Sequence, residues 1–120
     1  METLIYVSLL VNVIVLTPIL VFMSINSPRV VWAWGDFTPA RGILMSIYFA
    51  IFTASVLLLI KPIPAFVFTV LLLQVVYKVT TPFTVRSIKN PIVLSNLAIS
   101  ALHIATMVSI FPAIENLLVA

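Results

Sequence analysis

The chain has 120 residues, 63% of them hydrophobic and 8% charged, with a formal net charge of +3. These proportions lie outside those of soluble domains, and the apolar residues fall in long runs instead of alternating with charges. With no cysteine, thiol–disulfide chemistry, a structural disulfide and thiolate-bound metals or clusters are excluded; six cations scattered among apolar runs fit membrane topology better than phosphate binding, so nucleic acid is not an expected partner.

About 20 apolar residues cross a hydrocarbon core about 30 Å thick, so this length accommodates four spans with short connections and no soluble domain. The expected fold is all-α, a polytopic membrane protein with one four-transmembrane-helix bundle spanning residues 3–23, 39–60, 65–84 and 91–111. The first span follows Glu2 and no Lys/Arg-rich segment, as expected of a retained helix and not of a signal peptide. Asn12 lies near its middle with Ser8 one turn earlier on the same face; an amide aimed at lipid would be unsatisfied, so this face is expected against another helix. Pro18 removes a backbone donor and should bend the last turns.

Residues 26–38 read as an interfacial loop, with Pro28, Gly35, two charges, and Trp32 and Trp34 at headgroup level. Asp36 or Thr38 before Pro39 supplies a cap followed by a proline, a favourable start for the second span. Lys61-Pro62-Ile63-Pro64 stops that span in a tight extended turn. The third span starts near Ala65. Ending it at Tyr77 would leave it only about 20 Å long, so it must continue toward Thr81 or Val85, either kinked at Pro82 or broken there, with Lys78 inside the membrane's depth. After a basic turn from Arg86 to Lys89, Asn90-Pro91 repeats the cap-then-proline start. The fourth span is expected to stop at Phe111, before Pro112, leaving an interfacial tail.

The chemistry-bearing residues concentrate in the last two spans. Asn96, Ser100 and His103 share one helix face, widened by Ser95, Thr106 and Ser109, while Ala98, Ala101 and Ala105 mark the opposite face. Gln74, Tyr77, Lys78 and Thr81 share a face of the third span. The candidate binding stripe is therefore Asn12, Gln74, Lys78, Asn96, Ser100 and His103, with Arg86 and Lys89 as a basic mouth on the cytoplasmic side. Lys78 either snorkels to headgroups or attracts an anionic headgroup or substrate, with Asp36 as an internal alternative. His103 is expected to be buried, neutral and hydrogen-bonded to Asn12 or Gln74; the alternatives are a place on a transport path or a cofactor ligand. One histidine alone points to no metal and no cofactor.

The first-to-second and third-to-fourth connections hold Arg29, Arg41, Lys78, Arg86 and Lys89, whereas the other side holds only Lys61. By the positive-inside rule both termini are then non-cytoplasmic, in a bacterial inner or plasma membrane. No nucleophile has a nearby base, so an enzyme is not expected. Proton-coupled export of cationic drugs needs a mid-membrane carboxylate, and none of Glu2, Asp36 and Glu115 is mid-span. The expected function is binding, as an accessory or assembly subunit of a larger membrane complex, with the bilayer and other membrane subunits or further copies of itself as partners. The alternative is a homo-oligomeric carrier or channel for a small anion or weak acid.

Overall fold

The structure, a computed structural model, describes residues 1–119, with side chains described through Glu115. Five helices follow one another: α1 (Glu2–Ser24), α2 (Pro28–Trp34), α3 (Pro39–Ile60), α4 (Pro64–Thr84) and α5 (Pro91–Val119). All but α2 are long and apolar enough to cross a membrane; at about 1.5 Å per residue, 21 to 23 residues reach about 32–35 Å.

Every helix after α1 begins on a proline, which needs no donor at that position and arrives with a helical φ. At α2, α3 and α5 the residue before the proline satisfies a free amide with its side chain, whereas Ile63 before Pro64 offers none. Ser27 accepts from Arg29 N, Thr38 from Arg41 N and Asn90 from Ile92 N. Of the two caps proposed for the second span, Thr38 is the one used.

Two features differ from the sequence reading. The stretch read as a loop contains α2, a short helix started by Ser27-Pro28, the same device that starts α3 and α5. In addition, Pro112 does not end α5. Ile110 is buried in a core cluster and Ile114 packs against it, which holds the helix across the missing donor. Pro82 likewise lies inside α4, where Thr81 Oγ1 donates to the Lys78 carbonyl at 2.6 Å. That carbonyl is the one a residue with an N–H at position 82 would have bonded.

Packing joins α1 to α3 and α4 to α5, and α1 lies against α5 to unite the two pairs. Helices α3 and α4, consecutive in the chain, barely touch. One apolar cluster, Ile5, Leu9, Leu58, Val67, Leu71 and Ile110, fills the end near the N-terminus. A second, Leu16, Met23, Val30 and Tyr48, fills the end beside α2. Between them the interior is polar, while large apolar side chains such as Ile14, Leu57, Leu73 and Val108 cover the outside. Such an exterior suits lipid, not water.

Candidate functional site

The polar layer begins as rungs between α1 and α5. The Ser8 and Thr106 hydroxyls lie 2.6 Å apart, and one α1 turn further His103 Nε2 lies 3.0 Å from Asn12 Oδ1. Asn12 Nδ2 in turn donates to Ser55 Oγ on α3 at 3.1 Å. With Asn12 Oδ1 as acceptor, Nε2 carries the imidazole proton, and the one amide bonds α1 to both of its neighbours. Of the two partners proposed for His103, the geometry selects Asn12. The next α1 residue on that face is Leu16, which offers no polar atom. Ser100 Oγ and His103 Nδ1 are both buried without a protein partner.

The α4 side chains form a second group. Lys78 is 6% exposed and donates to Gln74 Oε1 at 3.4 Å, while Gln74 Nε2 reaches back to the Val70 carbonyl at the same distance. Both bonds are longer than the usual range, and Gln74 is neutral. The three acids of the chain, Glu2, Asp36 and Glu115, are all exposed, so the proposed pair between Lys78 and Asp36 is not made. Asn96 Nδ2 donates to Thr81 Oγ1 at 3.4 Å and ties α5 to α4 beside the lysine.

Next to Lys78 lies a cavity of about 30 Å³, lined by Trp34, Tyr48, Tyr77 and Asn96 among others. A second cavity of about 230 Å³ shares Trp34, Tyr48, Tyr77, Ile92 and Asn96 with it and extends to the exposed Thr84 and Val85. Together they form an aromatic-walled recess running from the α2 end of the bundle down to the Lys78 ammonium. The Trp34 indole and Tyr48 hydroxyl lie 3.4 Å apart and brace the wall. A recess about 30 Å³ at its floor has room for roughly two water-sized groups.

All six residues of the predicted stripe are buried. They divide into the Asn12–His103 rung, the Lys78–Gln74 pair, Asn96 on Thr81, and an unbonded Ser100. Arg86 and Lys89 are exposed, and the recess is lined at its outer end by Thr84 and Val85 in their place. Three contributors escaped the sequence reading. Ser55 and Tyr48 lie with Arg41 at seven-residue spacing on one face of α3, a signal that was there to be read. Arg41, counted there only as a loop charge, is 5% exposed and donates to the Gly35 carbonyl and to Asn26 Oδ1, clasping α2 between α1 and α3.

No family model, no curated protein and no solved structure matches the chain.

Proposed function

We propose that this is a small integral membrane protein that works by binding, not catalysis, and that its ligand is an anion seated on Lys78. The observation that carries this reading is a nearly buried ammonium beside a small cavity, with one long hydrogen bond to a neutral amide and no interior carboxylate among the described residues. The Tyr77 ring, its centroid 5.9 Å from the ammonium, is the other group facing the charge. A buried charge without an anionic partner still costs several kcal/mol, on the order of 3 by insertion scales, and such residues inside membranes mark ligand and ion paths. The small floor favours a carboxylate over a larger group. A weak acid fits both the charge and the apolar walls. With Lys78 set aside as a buried residue of α4, Arg29, Arg41, Arg86 and Lys89 at the α2 end against Lys61 alone at the other support cytoplasmic placement of the α2 end, with both termini on the other side.

Trp34 lines the recess and can report its occupancy once Trp32, which is 75% exposed, is replaced by Phe. Titrating that protein in mild detergent with butyrate should change the Trp34 emission saturably, whereas the neutral isostere butyramide should not. Lys78→Gln should abolish the difference; equal responses to both compounds in the unaltered lysine protein would sink the reading.

A role as an accessory subunit of a larger complex is compatible with this site and draws on a separate observation. Ala98, Ala101 and Ala105 are exposed on the outer face of α5, where small residues let another helix approach closely. Replacing Ala101 and Ala105 by Trp should lower the mass of the particle purified in mild detergent; an unchanged mass would count against assembly through that face.

A further inference from the structure

Helices α3 and α4 leave a groove of about 280 Å³ between them, lined by Ala50, Ile51 and Ala54 from α3 and by Val70, Leu73 and Tyr77 from α4. It opens to the apolar exterior, for Leu73 is 65% exposed and the adjoining Ile47 46%. Tyr77 lines this groove, the chamber beside Lys78 and the outer recess alike. This side chain is thus common to the lipid-facing seam and the chamber beside the ammonium.

The heights of these parts are ordered as in a membrane leaflet. Lys78 lies six residues before the end of α4 at Thr84, about 9 Å in from the helix end at about 1.5 Å per residue. Val70, at the far end of the seam, lies about 12 Å deeper toward the other face. A charged head at Lys78 with an alkyl chain in the seam would thus have the same orientation as the surrounding lipid. We infer that the seam between α3 and α4 is the chain-binding half of a site for a single-chain lipid carboxylate, whose head meets Lys78 past Tyr77. This rests on the anion-binding reading of Lys78 and adds the class and route of the ligand: it arrives sideways from the bilayer. Charge complementarity selects the occupant, because an uncharged chain would gain nothing in the seam over ordinary lipid, and a two-chain phosphodiester is too large for a floor of about 30 Å³. Tyr77 is the lining residue the two compartments share and its ring faces the ammonium, so a shift of that ring is the movement that would join them.

The test uses the full chain in nanodiscs, with Trp34 emission as the readout in the Trp32→Phe background. Palmitate and palmitamide partition into the bilayer through the same alkyl chain, so their ratio isolates recognition of the head. Palmitate should bind about tenfold or more tightly than palmitamide. Ala54→Phe, which fills the seam, should remove that preference while leaving the response to butyrate intact. If Ala54→Phe leaves palmitate binding unchanged with butyrate still recognised, the lateral site is wrong and the Lys78 anion site stands. A Lys78→Gln protein that still prefers palmitate and butyrate over their amides overturns both. If Ala54→Phe instead splits a dimer in detergent and palmitate shows no preference in the parent protein, the seam is a contact between copies and the inference fails.

Discussion

Asn12 accepts from His103 and donates to Ser55, so removing its amide orphans two buried groups at once, whereas Ser100 Oγ has no partner to lose. Asn12→Ala should therefore destabilise the bundle by about 1–3 kcal/mol, since interhelical bonds in membranes contribute about 0.6–2 kcal/mol each and an orphaned polar group adds to the loss. Ser100→Ala should cost less than about 0.5 kcal/mol or stabilise. Unfolding of both variants in a denaturing-detergent titration separates the two, and similar losses at the two positions would refute the rung. Lys78 gives the opposite sign. Removing a buried charge that lacks an anionic partner is neutral or stabilising when the shape is kept, so Lys78→Met should match or exceed the parent in ligand-free stability while losing the anion response. A marked loss of stability would make Lys78 a packing residue. Asn12, Gln74, Lys78 and the α5 stripe were legible because polar residues at helical spacing in an apolar run have few places to go. Ser55, by contrast, escapes notice although Arg41, Tyr48 and Ser55 share one face of α3 at seven-residue spacing. Arg41 reads as a loop charge and the other two as ordinary span residues until α3 is seen to face Asn12.

At the scale of one helix, α4 shows how a proline is tolerated beside a buried lysine. Asn96 Nδ2 donates to Thr81 Oγ1, which donates to the Lys78 carbonyl that Pro82 leaves without its helical partner. Thr81→Val keeps the shape and removes both bonds, so it should cost about 1–3 kcal/mol and loosen α4 next to Lys78. Thr81→Ser should restore most of that loss. Hydrogen exchange of the amides around Lys78 would report it, and equal protection in the Val and Ser variants would contradict the relay. The long helices were readable from length and hydropathy, and their starts from the residue before each proline. Helix α2 was not, because seven residues are too few to show a 3.6-residue period and Trp32 and Trp34 also suit an interface. Its placement comes from a side chain outside it: Arg41 bonds the Gly35 carbonyl just after α2 and Asn26 just before it. Both of those residues have positive φ, 90° at Gly35 and 51° at Asn26, which fits residues with little or no steric cost there. The stop expected at Pro112 failed because packing of Ile110 and Ile114 outweighs one lost backbone bond.

For the whole molecule, the cation bias predicts an orientation that reporter fusions can check: fusions at Lys61 and after Ala120 should both read non-cytoplasmic, and two cytoplasmic readings would invert the bundle. The bundle turns a globular protein inside out, with Ser8, Asn12, Ser55, Gln74, Lys78, Asn96, Ser100, His103 and Thr106 buried and large aliphatic side chains on the outside. Sequence made the number of spans legible but not their pairing, since a tight Lys61–Pro64 turn suggests that α3 and α4 are close neighbours when they barely meet. That disconnection has a consequence for assembly. The chain is two hairpins tied by a leash: residues 1–61 fold back through the α2 clasp, residues 62–119 through the Asn90 turn, and the two halves meet through the rungs of α1 and α5 and through the cluster that sets Ile5, Leu9 and Leu58 against Val67, Leu71 and Ile110. The covalent link between them carries almost none of the interface. Expressed together as separate fragments cut between Lys61 and Pro62, the halves should find one another in the membrane, co-purify through a tag on either, and associate measurably more weakly when Asn12 is replaced by Ala.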